Sequence, residues 1–305
     1  MGRAILFGFH FFLAGLFFVF FSFFFLVIQA GFFWNAFLFS IVLIFIGILS
    51  AFYEIFALPV FFPEKRIFRQ DILANQKIAI GMTAYNDQES IGPAVKDFLG
   101  QPNVTKVIVI DNNCIDATAA EAKKAGALVV QESVQGYGAA CIRALKEARK
   151  YGNIIILVEG DGTFSGTDIK KLVAYLENVD MVLGTRTTME IVSANSQINW
   201  FIQYGNIFIA KLIQLRYWGK LRLTDVGCTF RAIRADALDK ILPSLKVTGN
   251  NFSPHMILVS LEYGLKIIEV PVTLKQRVGE SKGVGSNIKK GLAAGFKMWA
   301  EILSR

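Results

Sequence analysis

The chain is poor in charge where charge matters most. From Ala4 to Ala30 the only side chain that can carry charge near neutral pH is His10, and from Phe33 to Val60 it is Glu54. Each run exceeds the roughly 20 residues needed to cross a bilayer's hydrocarbon core. A cleaved signal peptide is excluded by length, since its apolar part covers about 7–15 residues, and here a second run follows at once. Cysteine is scarce too. Cys114, Cys141 and Cys228 are an odd set without paired metal-ligand spacing, which removes a disulfide framework or a zinc knuckle and leaves free thiols. No Q-x-x-R-W stretch occurs and only two apolar runs exist, which argues against a processive polysaccharide synthase with its own channel.

What is abundant is apolar surface. The 305 residues are 53% hydrophobic and include 28 Phe, with a mean hydropathy of +0.46. The two runs read as a helical hairpin anchor. Arg3 precedes the first and Lys65, Arg66 and Arg69 follow the second, while the connector "QAGFFWN" is uncharged. The positive-inside rule then places both ends in the cytoplasm. Glu54 is expected near the cytoplasmic end of its run, within reach of water or headgroups, and His10 as a tolerated polar residue near an interface. The net charge of +8 falls on the rest of the chain and suits an anionic membrane surface or anionic substrates.

Beyond the proline-containing exit "LPVFFPEKR", short apolar runs alternate with amphipathic ones. "KIAIGM", "KVIVID", "ALVVQE" and "NIIILVE" read as strands; "ESIGPAVKDFLG", "DATAAEAKKAG" and "GAACIRALKEARKYG" read as helices. That alternation predicts βαβ units and a mostly parallel, Rossmann-like sheet in an α/β domain. Ligands of such sheets bind beyond the carboxyl ends of the strands, where "TAYND", "DNNCID" and "EGDGT" fall. Two later segments mix aromatics with Arg and Lys. "QINWFIQYGNIFIAKLIQLRYWGKLRL" reads as interfacial. In "NIKKGLAAGFKMWAEILSR", Ile288, Leu292, Phe296, Trp299 and Leu303 follow helical spacing, and packing on the core or lying along a membrane are both open.

In "EGDGT", Glu159 and Asp161 at a strand end can share one Mg²⁺ or Mn²⁺, hard ions that prefer oxygen and usually complete their shell with substrate phosphates. Gly160 and Gly162 permit close backbone approach, and Thr163 adds a hydroxyl. An acidic turn capping the next helix, with Thr167 or Asp168 as N-cap, is compatible with this. "QGYGAA" lacks the full G-x-G-x-x-G and opens the third helix, so a dinucleotide loop is discounted. His255 reads as a packed or surface histidine, and "NNFSP" as a possible substrate loop.

Seven stretches occur in one order: "TAYNDQESI", "VIVIDNNCIDATAA", "QGYGAACIRAL", "EGDGT", "GTRT", "TDVGCTFRAIR" and "RVGESK". Their succession resembles the inverting family 2 GT-A glycosyltransferases, and most of all the polyprenyl-phosphate sugar transferases such as dolichyl-phosphate mannose and glucose synthases. The resemblance implies a nucleotide-sugar donor (UDP- or GDP-linked), a polyprenyl or dolichyl phosphate acceptor, a Mg²⁺ or Mn²⁺ cofactor, inversion at the sugar, and no nucleic acid partner. It implies a hairpin anchor over 1–62, a GT-A domain over 63–285 facing the cytoplasm, and an amphipathic membrane-surface helix over 286–305. By position, Thr83, Tyr85, Asp87 and Asp111 would contact the nucleotide, with Glu159, Asp161 and Thr163 at the metal and Gly160 between them. Arg186 and Arg231 would grip the acceptor phosphate, with Arg234 nearby, and Arg277, Ser281 and Lys282 would belong to a loop near the acceptor. Asp225 stands where a base is sometimes placed; orienting Arg231 or capping a turn is the other reading. Thr83 for Pro, Asp87 for Glu and Glu159 for Asp depart from the family pattern, and with Asn112 they leave metal preference and nucleotide open. Transfer to another lipid, a glycan or a protein, and a catalytically silent nucleotide-sugar-binding membrane protein, are the alternatives.

Overall fold

The structure, a computed structural model, describes residues 2–27, 32–57, 75–196, 198, 200–279 and 288–305. Lys65, Arg66 and Arg69, on which the orientation of the hairpin rests, lie outside them. The chain divides into two compact units, Met1–Ile67 with Leu212–Gly219, and Phe68–Lys211 with Lys220–Arg305.

In the first unit, helix α1 (Arg3–Val27) packs against α2 (Phe33–Phe52), which continues as a π turn over Tyr53–Ala57. Both helices are long and apolar enough to cross a membrane. Glycine brings them together: a Cβ on Gly8 would lie 2.6 Å from the Gly47 carbonyl oxygen, and one on Gly47 2.5 Å from that of Gly8. Small residues at such a crossing let backbones meet, the usual way apolar helices associate without a hydrophobic drive. Phe17, Phe20 and Phe45 point outward and are largely exposed. Glu54 differs from expectation. It is buried rather than turned to water, and accepts hydrogen bonds from the N–H groups of Gly2 and Ile5, the latter at 2.8 Å. The first N–H groups of α1 have no partner within the helix and form its positive end, so a carboxylate there is satisfied by the backbone.

The second unit is built on a seven-stranded sheet of order β3-β2-β1-β4-β6-β5-β7. The strands are β1 (Ile78–Ala84), β2 (Val104–Asp111), β3 (Leu128–Gln131), β4 (Ile154–Glu159), β5 (Met181–Thr185), β6 (Arg231–Arg234) and β7 (Ile267–Pro271). β1 lies between β2 and β4, and all seven of its residues are buried. That is why it reads as a continuous apolar run without alternation. Helices α3 (Ile91–Leu99), α4 (Thr118–Lys124) and α5 (Tyr137–Ala148) provide the crossovers, and α6 (Ile169–Ala174) follows β4. Ile80, Met82, Ile156 and Val158 pack with Ile91, Val95 and Phe98 of α3 and with Phe230 into the main core. Each such side chain contributes about 1.5–3 kcal/mol on burial.

β6 is the one antiparallel strand of the sheet, paired with β4 and β5. It runs back from Arg231 opposite Leu157 to Arg234 opposite Ile154. The remaining helices are α7 (Trp200–Arg216), α8 (Ala235–Ile241), α9 (Phe252–Glu262) and α10 (Ile288–Ser304). On α7, Trp200, Tyr204 and Phe208 are exposed at four-residue spacing. α10 rests on α9, where Glu301 bonds His255 Nδ1 at 2.6 Å, and Ile302 is buried, while Leu292 and Phe296 are exposed.

Candidate active site

The four parallel strands β3, β2, β1 and β4 end on one edge, and a cavity of about 390 Å³ opens there. Thr83, Tyr85 and Asp87 from β1 and its turn line it, with Tyr137 of α5, Glu159 at the end of β4, Asp161 just beyond it, Ser253 of α9 and Arg277. Register explains the central group: Thr83 pairs with Glu159 across the ladder, and the Gly160 N–H donates to the Thr83 carbonyl at 2.9 Å. Gly160 leaves no room for more, since a Cβ there would meet Ile91 Cδ1 at 2.4 Å and the Thr83 carbonyl at 3.2 Å.

The two acids are held differently. Asp161 Oδ1 accepts from the N–H and hydroxyl of Thr163, at 3.1 and 2.6 Å, while its Oδ2 accepts from Arg277 Nη1 at 2.9 Å. The other arm of the same guanidinium, Nη2, donates to Asp87 Oδ1 at 3.0 Å. Glu159 Oε1 accepts from Thr229 Oγ1 at 2.5 Å. Burial, and then the Asp161 carboxylate beside it, push the Glu159 carboxyl above its ordinary range.

The other expected residues sort themselves by backbone path. Asp111 ends β2, where its Oδ1 accepts from the Cys114 N–H at 2.8 Å, and its neighbour Asn112 faces the cavity. Asn112 is committed to structure. Its amide donates to the carbonyls of Glu132 and Val134, and its oxygen accepts from the Gly136 N–H. Those bonds pin the loop that delivers Gln135, Gly136 and Tyr137 to the cavity. Asp225 pairs with Arg186 rather than Arg231: Nε donates to Oδ2 at 2.7 Å and Nη2 to Oδ1 at 2.9 Å. Burial alone would raise the Asp225 carboxyl, but the Arg186 guanidinium outweighs it and holds the pKa low. That pair sits beside the cavity-lining Gly227, whose Cβ position is 3.0 Å from Arg186 Nη2.

Arg231 and Arg234 are not brought to the cavity. Arg231 is buried and donates to the carbonyls of Ser253, at 3.0 Å, and Cys228, at 2.5 Å. Arg234 is carried by the reversed β6 to the start of β4, where it bonds the Leu176 carbonyl. Five steps of strand, from Ile154 to Glu159, at about 3.3 Å each separate it from the acidic end. Thr167 and Asp168 make no side-chain cap to α6; Asp168 instead accepts from the Thr273 N–H and pairs with Lys171. Ser281 and Lys282 lie outside the described residues.

Sequence reasoning passed over Tyr137, Thr229 and Ser253. Asn250, Ser253 and Pro254 of "NNFSP" line the cavity, so that stretch did carry a signal. The glycines of "QGYGAA" are demanded by close backbone packing. A Cβ on Gly136 (φ 149°) would meet the Thr248 carbonyl at 2.5 Å, and one on Gly138 would meet the Val247 carbonyl at 2.3 Å. They let the start of α5 seat against that backbone.

Residues 79–242, just over half the chain, match Glycosyl transferase family 2; the chain belongs to this family and is a glycosyltransferase. It is 27% identical over 210 residues to an undecaprenyl-phosphate mannosyltransferase of Micrococcus luteus, covering 66% of this chain and 85% of that one. It is 29% identical to the glycosyltransferase AglJ of Haloferax volcanii, covering 66% and 63%. The GT-A fold is shared with glucosyl-3-phosphoglycerate synthase of Mycobacterium tuberculosis bound to Mn²⁺, uridine diphosphate and glucosyl-3-phosphoglycerate. There the TM-score is 0.57 at 17% identity, over 76% of this chain and 80% of that one.

Proposed function

We propose that this protein is a membrane-bound, metal-dependent glycosyltransferase that moves a sugar from a UDP- or GDP-linked donor to a polyprenyl phosphate, inverting the anomeric carbon. The observation that carries the reading is the pair Glu159 and Asp161 at the tip of β4, lining a cavity of about 390 Å³, with a cation already drawn to Asp161. Arg277 stands between Asp161 and Asp87, so the acids demand positive charge. Among the described residues no third His, Cys, Asp or Glu joins them to form a closed metal site. Two carboxylates fit an ion of the Mg²⁺ or Mn²⁺ kind, whose remaining positions go to substrate phosphates. Such an ion supplies positive charge against the departing diphosphate.

The chain's own residues divide the remaining work. Thr83, Tyr85 and Asp87, which line the cavity, would border the nucleotide; Asp111 does not line it and holds the Cys114 N–H instead. Arg186, fixed by two bonds to Asp225, has no partner for Nη1 among the described residues and would offer it to an acceptor phosphate, and Arg277, once released from the acids, would present its planar fork. The acceptor's phosphate oxygen attacks the anomeric carbon, and the bond to the diphosphate breaks with its electron pair on the leaving oxygen. A phosphate monoester is anionic near neutral pH, so no strong base is needed. Asp225, committed to Arg186 and Gly227, serves as a positioning residue.

The acceptor assignment is supported by the two apolar helices and by the relative that acts on undecaprenyl phosphate. Exposed Trp200, Tyr204 and Phe208 on α7 and Leu292 and Phe296 on α10 suit a bilayer surface. Holding the site near the headgroup plane confines the search for a lipid phosphate. Membranes containing the protein, given Mn²⁺ and labelled UDP- or GDP-sugars, are expected to form an acid-labile, solvent-extractable product. Asp161→Ala is expected to abolish it. Full turnover by that variant rejects the metal assignment, and label found only on protein or water-soluble glycan rejects the lipid acceptor.

A further inference from the structure

Glu159 is one methylene longer than an aspartate at the same place, and an unrestrained glutamate has one more torsion over which to spread its carboxylate. The structure removes that freedom with a chain of hydroxyls from three separate elements. Thr229, in the loop before β6, is buried and donates its single hydroxyl proton to Glu159 Oε1 at 2.5 Å. With that proton spent, the Thr229 oxygen can only accept, and the neighbouring Tyr137 hydroxyl of α5 is the group in contact with it. Tyr137 in turn accepts from Ser253 Oγ of α9 at 3.3 Å. The protons therefore run in one direction, from Ser253 through Tyr137 and Thr229 to the carboxylate. Glu159 Oε2 has no hydrogen-bond partner among the described residues, and Glu159 itself lines the cavity.

We infer that Thr229, backed by Tyr137 and Ser253, is a positioning residue that fixes Oε1 of Glu159 so that Oε2 is presented to the divalent cation of the donor complex. This rests on the metal reading given above. A partner behind a ligating group sets its direction, and loss of such a partner typically costs about 10–100-fold in metal affinity. The hydroxyl chain lets a glutamate do here what a shorter acid would do without help. Thr229 does not line the cavity, so its effect is expected in metal affinity rather than in the chemical step.

The test uses the full-length protein in detergent and reads Mn²⁺ binding directly by electron paramagnetic resonance, with UDP and, separately, GDP present. Thr229→Val keeps the branched shape and removes the hydroxyl; it is expected to weaken Mn²⁺ binding at least about tenfold. Its transferase activity should be restored by raising Mn²⁺, with kcat close to the parent at saturation. Thr229→Ser should restore tight binding, because it returns the hydroxyl, and Tyr137→Phe should weaken binding by a smaller factor. Should Thr229→Val fold poorly, Tyr137→Phe, which deletes one oxygen, reads the same chain. Unchanged Mn²⁺ affinity in both variants overturns the inference while the parent's own binding keeps the metal reading. A parent that binds no Mn²⁺ with either nucleotide overturns both.

Discussion

Changing Asp225 to Asn keeps the outline of the side chain and removes the charge that faces Arg186. In the native protein the two oxygens accept four hydrogen bonds: Oδ2 from the N–H and Nε of Arg186, Oδ1 from Arg186 Nη2 and the Gly227 N–H. An amide has one oxygen, so its NH₂ must face two donors. Removing one partner of a buried ion pair costs about 3–5 kcal/mol. Asp225 is 2% exposed but the Arg186 side chain is 17% exposed, which favours the lower end. At about 2–4 °C per kcal/mol for a domain of this size, Asp225→Asn should melt about 6–12 °C lower, read by tryptophan fluorescence of the full chain in detergent. Adding Arg186→Met removes the stranded charge, so the double variant should be far more stable than the sum of the single losses predicts. The pH dependence has a definite sign. The folded pKa of Asp225 is depressed, so its stabilisation is fully present above the unfolded value of about 3.9 and is lost as pH falls through the lower folded value. The parent should lose stability more steeply in that acid range than Asp225→Asn. In kinetics, the variant should raise KM for the lipid phosphate more than it lowers kcat. An Asp225→Asn protein with an unchanged melting temperature and no turnover would show that Asp225 takes a proton in the reaction, and would refute its positioning role.

Arg277→Met removes the guanidinium that bridges Asp87 and Asp161, whose side chains are 8% and 5% exposed. Without metal the variant should melt below the parent, and Mn²⁺ should raise its melting temperature by more; equal shifts would rule out Arg277 as the resident cation. Gly138→Ala places a methyl 2.3 Å from the Val247 carbonyl oxygen and 2.7 Å from Thr248 C. Because both are backbone atoms, α5 must shift, at a cost of about 1–3 kcal/mol. A lowered melting temperature together with weakened transfer is expected, since Tyr137 moves with it; full activity would place the tight seat outside the function.

The strand and helix alternation was legible because β1, β4 and the 107–110 part of β2 are packed on both faces and so appear as apolar runs. The paired acids were legible for a local reason: two carboxylates one residue apart, at the end of a buried strand, are costly without compensation. β6 was not. It has four residues with arginine at each end, and nothing in its spacing reports that it runs backward. That reversal explains why two adjacent-looking arginines part company, Arg231 buried beneath the cavity wall and Arg234 at the far end of β4. The partners of the acids were hidden by distance along the chain. Arg277 reaches Asp161 across 116 positions and Thr229 reaches Glu159 across 70.

The amino-acid sequence alone determined the two apolar helices, the α/β layering and the strand end at which acidic side chains collect, because burial and backbone periodicity are written into neighbouring residues. Tertiary structure alone decided that Arg277 bridges Asp87 and Asp161, that Asp225 belongs to Arg186, and that Glu54 closes the start of α1. A hydrogen bond is satisfied by whichever donor the folded backbone brings within about 3 Å, and many segments of one chain carry suitable donors. Only the packed arrangement selects among them.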